Sequence, residues 1–272
     1  MEQENLFDII IIGASEEGTY LAEKLSSKVN KRIAIIDYNF GDKLNSCFDA
    51  DHIKTIQQKV SLITFLRGLY LLSLDGGKTL VAYNLVIATG KKSQRTNLGV
   101  GEYVNDRFKL NNEDKNSVLV YGDGKDYSAV DIATRLANRF EKVYLDTPNF
   151  IAPSPHIDNV QHINGAKIID KTYRTSPTGV KYLASVSLDN YAKISCRAIV
   201  YRDNFIPEIP AAREGIIKLD DKGLIIVNKD WSLVSGVPNA YAIGTCTNDD
   251  ILPFEYEPLA DRIIEKNKWK EI

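Results

Sequence analysis

Residues 8–18 read Asp8-Ile9-Ile10-Ile11-Ile12-Gly13-Ala14-Ser15-Glu16-Glu17-Gly18, and the order of these types decides the fold. An unbroken β-branched run is the mark of a strand buried on both faces. The glycines after it permit a tight turn. From Thr19 to Lys28, Leu21, Ala22 and Leu25 fall on one side of a helix. Ile33 to Ile36 is a second buried run, closed by Asp37. The sum is a βαβ unit, whose crossover is right-handed in nearly all proteins.

A glycine turn between a buried strand and a helix is a phosphate site for physical reasons. The backbone can approach a diphosphate closely, and the free amides of the first helical turn face its charge. An acid at the end of the next strand can take hydrogen bonds from ribose hydroxyls. The candidates here are Gly13, Ser15, Glu17 and Gly18, with Asp37 and its neighbour Tyr38. Ser15 stands where a second glycine is usual and is small enough to serve. Glu16 and Glu17 favour the helix dipole, yet they repel a bound phosphate.

The pattern returns later. Ser117 to Tyr121 is a strand, Gly122-Asp123-Gly124 a turn, Tyr127 to Phe140 a helix, and Lys142 to Leu145 a strand closed by Asp146. A repeat at this scale weighs more than either copy alone. Gly122, Gly124 and Asp146 are the second set of candidates. Asp146 favours NADH over NADPH, because a carboxylate repels a 2′-phosphate.

Between the copies, residues 59–83 hold short apolar stretches split at Arg67-Gly68 and Gly76-Gly77, the pattern of an antiparallel meander. Leu85 to Ala88 reads as a separate buried strand ending at Thr89-Gly90. Residues 168–202 look like further strands. Gly223 to Val227 and Ala240 to Ile243 read as short strands, and Tyr256 to Lys270 as a closing helix. The expected organisation is discontinuous. Residues 1–95 and 230–272 form one domain, residues 115–205 a second inserted in it, and residues 96–114 and 206–229 are linkers.

Composition narrows the function classes. The chain has 272 residues, 44% hydrophobic and 26% charged, with a net charge of −2. That balance gives no electrostatic case for nucleic acid or an anionic membrane, and no apolar run approaches the ~18 residues of a membrane span. The start, Met1-Glu2-Gln3-Glu4-Asn5, lacks the basic residues of a signal peptide. Three scattered cysteines make neither a disulfide framework nor a metal site. A cytoplasmic location is expected.

The order of glycine turn, acidic strand end, meander, Leu85-Val86-Ile87-Ala88-Thr89-Gly90, second glycine turn and Val237-Pro238-Asn239-Ala240-Tyr241-Ala242-Ile243-Gly244 resembles the FAD-dependent pyridine nucleotide-disulfide oxidoreductases. The layout is most similar to low-molecular-weight thioredoxin reductases. The resemblance implies an α/β fold of two Rossmann-like, three-layer ββα domains, the NAD domain inserted in the FAD domain. It implies FAD in the first and NAD(P)H in the second. Ala88, Thr89 and Gly90 would touch FAD, as would Gly244 and Thr245. It implies a homodimer and an electron acceptor of unknown identity.

The chain departs from that pattern at several points. No Cys-x-x-Cys is present, which excludes the dithiol relay of a thioredoxin reductase. Thr245 replaces the family's aspartate. The stretch between Asp37 and the meander is short, and residues 249–272 lack a glycine-rich helix start. Two alternatives to an NADH-oxidising flavoenzyme follow. One is a catalytically degenerate protein that binds a nucleotide or a partner. The other is a single-cysteine flavin peroxidase or oxidase using Cys47, which lies ten positions after Asp37 as in the single-cysteine branch of the superfamily. His52 is a weaker candidate acid–base group, and Cys246 follows Gly244-Thr245.

Overall fold

The computed structural model describes residues 3–38, 40, 53–95, 97–104, 108, 116–122, 128–148, 157–203, 205–248 and 257–269. In chain order the first elements are β1 (Leu6–Ile12), α1 (Glu16–Lys28), β2 (Ile33–Ile36), β3 (Ile53–Ile56), β4 (Val60–Leu66), β5 (Leu69–Leu74), β6 (Thr79–Ile87) and β7 (Lys91–Ser93). The middle holds β8 (Glu102–Tyr103), β9 (Ser117–Gly122), α2 (Ser128–Ala137), β10 (Lys142–Thr147), β11 (Val160–Asn164), β12 (Ile168–Thr175), β13 (Lys181–Leu188), β14 (Lys193–Ser195) and β15 (Ala198–Arg202). The chain ends with β16 (Phe205–Pro207), β17 (Ala240–Ala242) and α3 (Glu257–Lys266). It divides into two compact units, Met1–Lys92 with Ile206–Ile272, and Ser93–Phe205.

Unit 1 is built on a seven-stranded sheet of order β3-β2-β1-β6-β5-β4, with β17 also paired to β6. Strands β3, β2, β1, β6 and β17 run parallel. The antiparallel pairs β4·β5 and β5·β6 form the meander. The pleat sends alternate residues of β1 to opposite faces. Ile9 and Ile11 pack with Leu21 and Leu25 of α1 and with Leu259 and Ile263 of α3. Ile10 and Ile12 pack with Val60, Ile63, Tyr70 and Leu72 of the meander. All four isoleucines of the run are fully buried or nearly so, which is why it shows no alternation in sequence.

Two expectations need correction. The meander's last strand and the strand at Leu85–Ala88 are one element, β6. Its first half pairs with β5 and its second half with β17. Exposed Tyr83 and polar Asn84 look like a break in the sequence, but Asn84 is fully buried and donates from Nδ2 to the Asp8 carbonyl at 2.8 Å. Residues 206–229 are not a free linker. Ile63 and Ala212 form a bridge, and Ile216 and Ile225 join the core beneath the sheet. Residues 223–227 make isolated bridges there rather than a named strand.

Unit 2 repeats the plan. Its parallel sheet has the order β11-β10-β9-β15-β8. Val118, Val120, Val143 and Leu145 face Ile132, Ala133 and Leu136 of α2. On the other face Leu119 and Ile199 meet Leu183, Val186 and Leu188 of the antiparallel sheet β12-β13-β14.

Candidate cofactor site

The parallel strands of unit 1 end level with one another. Ile12 is the register partner of Ile87, and Ile87 that of Ala242. The bonds Gly13 N–Ile36 O (2.8 Å), Ala88 N–Ile12 O (2.7 Å) and Ile243 N–Ile87 O (2.9 Å) carry the ladder one residue further. Gly13, Ala88 and Ile243 therefore emerge side by side at the carboxyl ends of the strands, with Gly244 one residue beyond, where open α/β sheets bind ligands.

Close packing dictates the glycines. Gly13 has φ +104°, and a Cβ on it would lie 2.6 Å from the Ala88 carbonyl carbon and 2.8 Å from Thr89 Cα. A Cβ on Gly18 would collide with the Gly13 carbonyl oxygen. The turn thus sits directly on the strand beneath it. Gly90 and Gly244 also take left-handed conformations, at φ +65° and +78°. The Gly90 carbonyl accepts from the Glu208 amide at 3.0 Å, and a Cβ on Gly90 would lie 3.3 Å from Thr245 Oγ1.

Polar groups then fix the turn. Asp37 Oδ2 accepts from the Ala14 amide at 2.7 Å, tying the end of β2 to the glycine turn. Ser15 is the N-cap of α1. Its Oγ accepts from the Gly18 amide at 3.1 Å, and its carbonyl accepts from Thr19 N at 3.0 Å. The amides of Glu16 and Glu17 remain without intrahelical acceptors, as at any helix start. The carboxyl of Glu17 lies against Gly244. Thr89 Oγ1 is buried with no hydrogen-bond partner among the described residues. Tyr38, 45% exposed, donates to Glu208 Oε2 at 3.3 Å. Its hydroxyl is held above its ordinary pKa by partial burial, by Glu208 and by Asp37. Cys246 is fully buried, and burial pushes its thiol upward, which makes it a packing residue.

In unit 2, Gly122 ends β9. A Cβ there would lie 2.8 Å from that of Ala129 and 3.2 Å from Thr147 Cγ2, so its glycine lets α2 approach the sheet. Asp146 was assigned a ribose contact from its place in the sequence. In the structure its carboxyl is fully buried, Oδ1 accepts from the Ala166 amide at 3.0 Å, and Oδ2 has no hydrogen-bond partner among the described residues. Burial pushes this carboxyl up to about 6 against the opposing bonds from Ala166 and Gly165. Gly124, Cys47 and His52 lie outside the described residues.

The structure thus brings Gly13, Ser15, Glu17, Gly18, Ala88, Thr89, Gly90, Gly244 and Thr245 together at the carboxyl ends of the parallel strands of unit 1, with Asp37 and Tyr38 at the neighbouring strand end. The sequence reading missed Ala14, whose contribution is a backbone amide, and Glu208, which lies in a stretch that carries no motif.

A family profile described as pyridine nucleotide-disulphide oxidoreductase matches residues 46–266. The chain belongs to this family. Solved structures share its fold along nearly its whole length. Thioredoxin reductase from T. acidophilum superposes with a TM-score of 0.69 at 17% identity, over 97% of this chain and 99% of that one. Thioredoxin reductase from Lactococcus lactis gives 0.63 at 14%, over 95% and 98%. The HOCl-induced flavoprotein disulfide reductase RclA of Escherichia coli gives 0.59 at 14%, over 98% of this chain and 73% of that one. No curated protein matches the chain. The fold is the two-domain, thioredoxin-reductase-like one. No described helix is long and apolar enough to cross a membrane.

The oxidoreductase family implies a flavin dinucleotide, and the backbone of unit 1 fits one. The Glu16 and Glu17 amides sit at the helix start, the Asp37 strand end stands beside them, and buried Thr89 Oγ1 has no hydrogen-bond partner among the described residues. Among the side chains, Glu17 opposes the fit, because it adds a carboxylate at the helix start, against Gly244.

Proposed function

We propose that this chain is a FAD-dependent oxidoreductase that oxidises NADH and passes the electrons to an acceptor other than a dithiol of its own. The observation behind the reading is the glycine turn of unit 1, which rests on Ala88 and Thr89 at the carboxyl ends of the strands. Residues 13–18 would hold the diphosphate. Asp37 would serve the adenosine ribose, and the segments at Gly90 and Gly244 would lie along the rest of the dinucleotide. NADH would bind unit 2 at the carboxyl ends of β9 and β10. Bound FAD would supply the redox chemistry, taking a hydride from NADH and releasing electrons to the acceptor.

The protein's own part is positioning. Asp37 holds the Ala14 amide, and through it the whole turn, in a fixed place. Ser15 satisfies the Gly18 amide, which leaves the Glu16 and Glu17 amides for a ligand. The left-handed Gly90 and Gly244 turn the chain at the strand ends without placing a side chain there. The sequence holds no Cys-x-x-Cys, so electrons would leave without such a pair. A buried Asp146 would act on a 2′-phosphate through its field rather than by contact, and rates with NADH and NADPH measure that preference directly.

The test is a visible absorption spectrum of the purified protein, with and without added FAD, then with NADH under anaerobic conditions. Flavin absorbance that bleaches with NADH is the expected result. A colourless protein that takes up no FAD removes the reading. A second reading, nucleotide binding without turnover, draws on the Glu17 carboxylate at the helix start. Bound FAD that NADH leaves oxidised would favour it.

A further inference from the structure

We infer that Glu17 controls dinucleotide affinity in unit 1: its carboxylate occupies the seat that a diphosphate needs at the start of α1, so removing its charge strengthens binding. The inference rests on the FAD reading and deepens it.

Glu17 is the second residue of α1 and half-buried, unlike its exposed neighbour Glu16. A Cβ built on Gly244 would lie 3.1 Å from Glu17 Cδ and 3.2 Å from Oε1. The side chain therefore folds across the helix start toward the end of β17 instead of extending into solvent. No hydrogen bond or ion pair engages this carboxylate among the described residues. Its favourable electrostatic surroundings are the helix dipole and the unpaired first-turn amides.

A diphosphate draws on the same groups. The set is already small, since Ser15 takes the Gly18 and Thr19 amides and leaves those of Glu16 and Glu17. A fixed negative charge and an incoming one would share two donors and one dipole. Among the described residues, the polar side chains next to Gly90 and Gly244, those of Thr89 and exposed Thr245, are uncharged. Glu17 must then swing away before a dinucleotide can seat, and binding is weakened by that displacement and by any charge that stays close.

The experiment uses the full chain freed of flavin, with FAD as the probe and quenching of flavin fluorescence as the readout. Wild type is compared with Glu17→Gln, Glu17→Ala and Glu23→Gln, and circular dichroism verifies that each variant is folded. Both Glu17 variants should bind FAD about tenfold or more tightly than wild type. Glu23→Gln, with the same change of net charge on an exposed side chain two turns along α1, should stay within about twofold. Uptake of FAD by Glu17→Gln and not by wild type would support the inference while removing flavin activity from the wild-type protein. Equal or weaker binding in both Glu17 variants would overturn the inference and leave the FAD reading intact. No FAD binding by any of the four proteins would overturn both.

Discussion

Asn267 donates from Nδ2 to Asn84 Oδ1 at 2.9 Å and to the Ile263 carbonyl at 2.7 Å, joining the residue after α3 to the middle of the central strand. Asn84 is fully buried and also donates to the Asp8 carbonyl. One side chain thus holds β6, β1 and the end of α3 together. Asn84→Ala would strand the Asp8 carbonyl and the Asn267 amide at once. We expect unit 1 to lose about 2–3 kcal/mol, read as a lower denaturant midpoint. Asn84→Asp should cost at least as much, because it adds a buried charge.

Gly13→Ala should be more severe than an ordinary glycine replacement. The new methyl meets Ala88 and Thr89 backbone atoms, which cannot move aside, and φ +104° is unfavourable in itself. A loss above about 3 kcal/mol, or insoluble protein, is expected. Gly77→Ala is the control, since φ there is +79° but nothing lies within 4 Å. It should cost only about 1–2 kcal/mol. Equal losses in the two variants would show that the close approach at Gly13 does not matter.

Ser15 separates capping from ligand binding. Ser15→Ala removes the acceptor for the Gly18 amide and should cost about 1 kcal/mol, whereas Ser15→Gly should cost only a few tenths. Chemical denaturation of the two variants compares them directly. A loss in Ser15→Gly as large as in Ser15→Ala would mean that the hydroxyl, rather than the backbone shape, carries the cap.

Asp146 and Glu102 should respond to pH with opposite signs. The Asp146 carboxyl titrates near its ordinary 3.8 when unfolded and at about 6 when folded. The folded state therefore keeps a proton that the unfolded state has lost, and stability falls as pH rises from about 4 to 6. Asp146→Asn should abolish that slope and stabilise the protein at pH 7 by about 1–2 kcal/mol. Thermal melts across this range, wild type against variant, measure it.

Burial alone would raise the Glu102 carboxyl, but bonds from Lys171 Nζ (2.6 Å) and the Tyr173 hydroxyl (2.9 Å) override it and hold the group below its ordinary range. Its contribution is present above its unfolded value of 4.5 and fades as pH drops below that. Glu102→Gln should cost about 1–3 kcal/mol at pH 7 and much less in acid. A loss that is the same at both pH values would point to packing instead of charge.

The fold was readable wherever a residue's role is set by its immediate neighbours. Ile9 to Ile12 announce a strand covered on both faces, and Gly13 and Gly18 announce a turn pressed against it, because both signals are local. Asn84 misled, since a buried amide bonded to Asp8 looks like the polar end of a strand until its partner is known. Ile216 and Ile225 were unreadable for a similar reason. Their partners lie in the meander, far away in the chain. At the site, the sequence pointed to Glu17 and the threat its charge poses. It could not reveal that the side chain lies across Gly244, which depends on where β17 ends. Asp146 stands at the expected place, but the loop at Gly165-Ala166 covers it.

The divided unit has a consequence for synthesis. A ribosome delivers β1 to β6 early, yet residues 85–87 of β6 gain their partner β17 only after all of Ser93–Phe205 has been made. The inserted unit is continuous and can mature while its host waits. For that interval the nascent chain carries an open strand edge, the kind of surface that recruits other chains. Slowed elongation, or a shortage of chaperones, should therefore harm the yield of this protein through its first unit and spare the second.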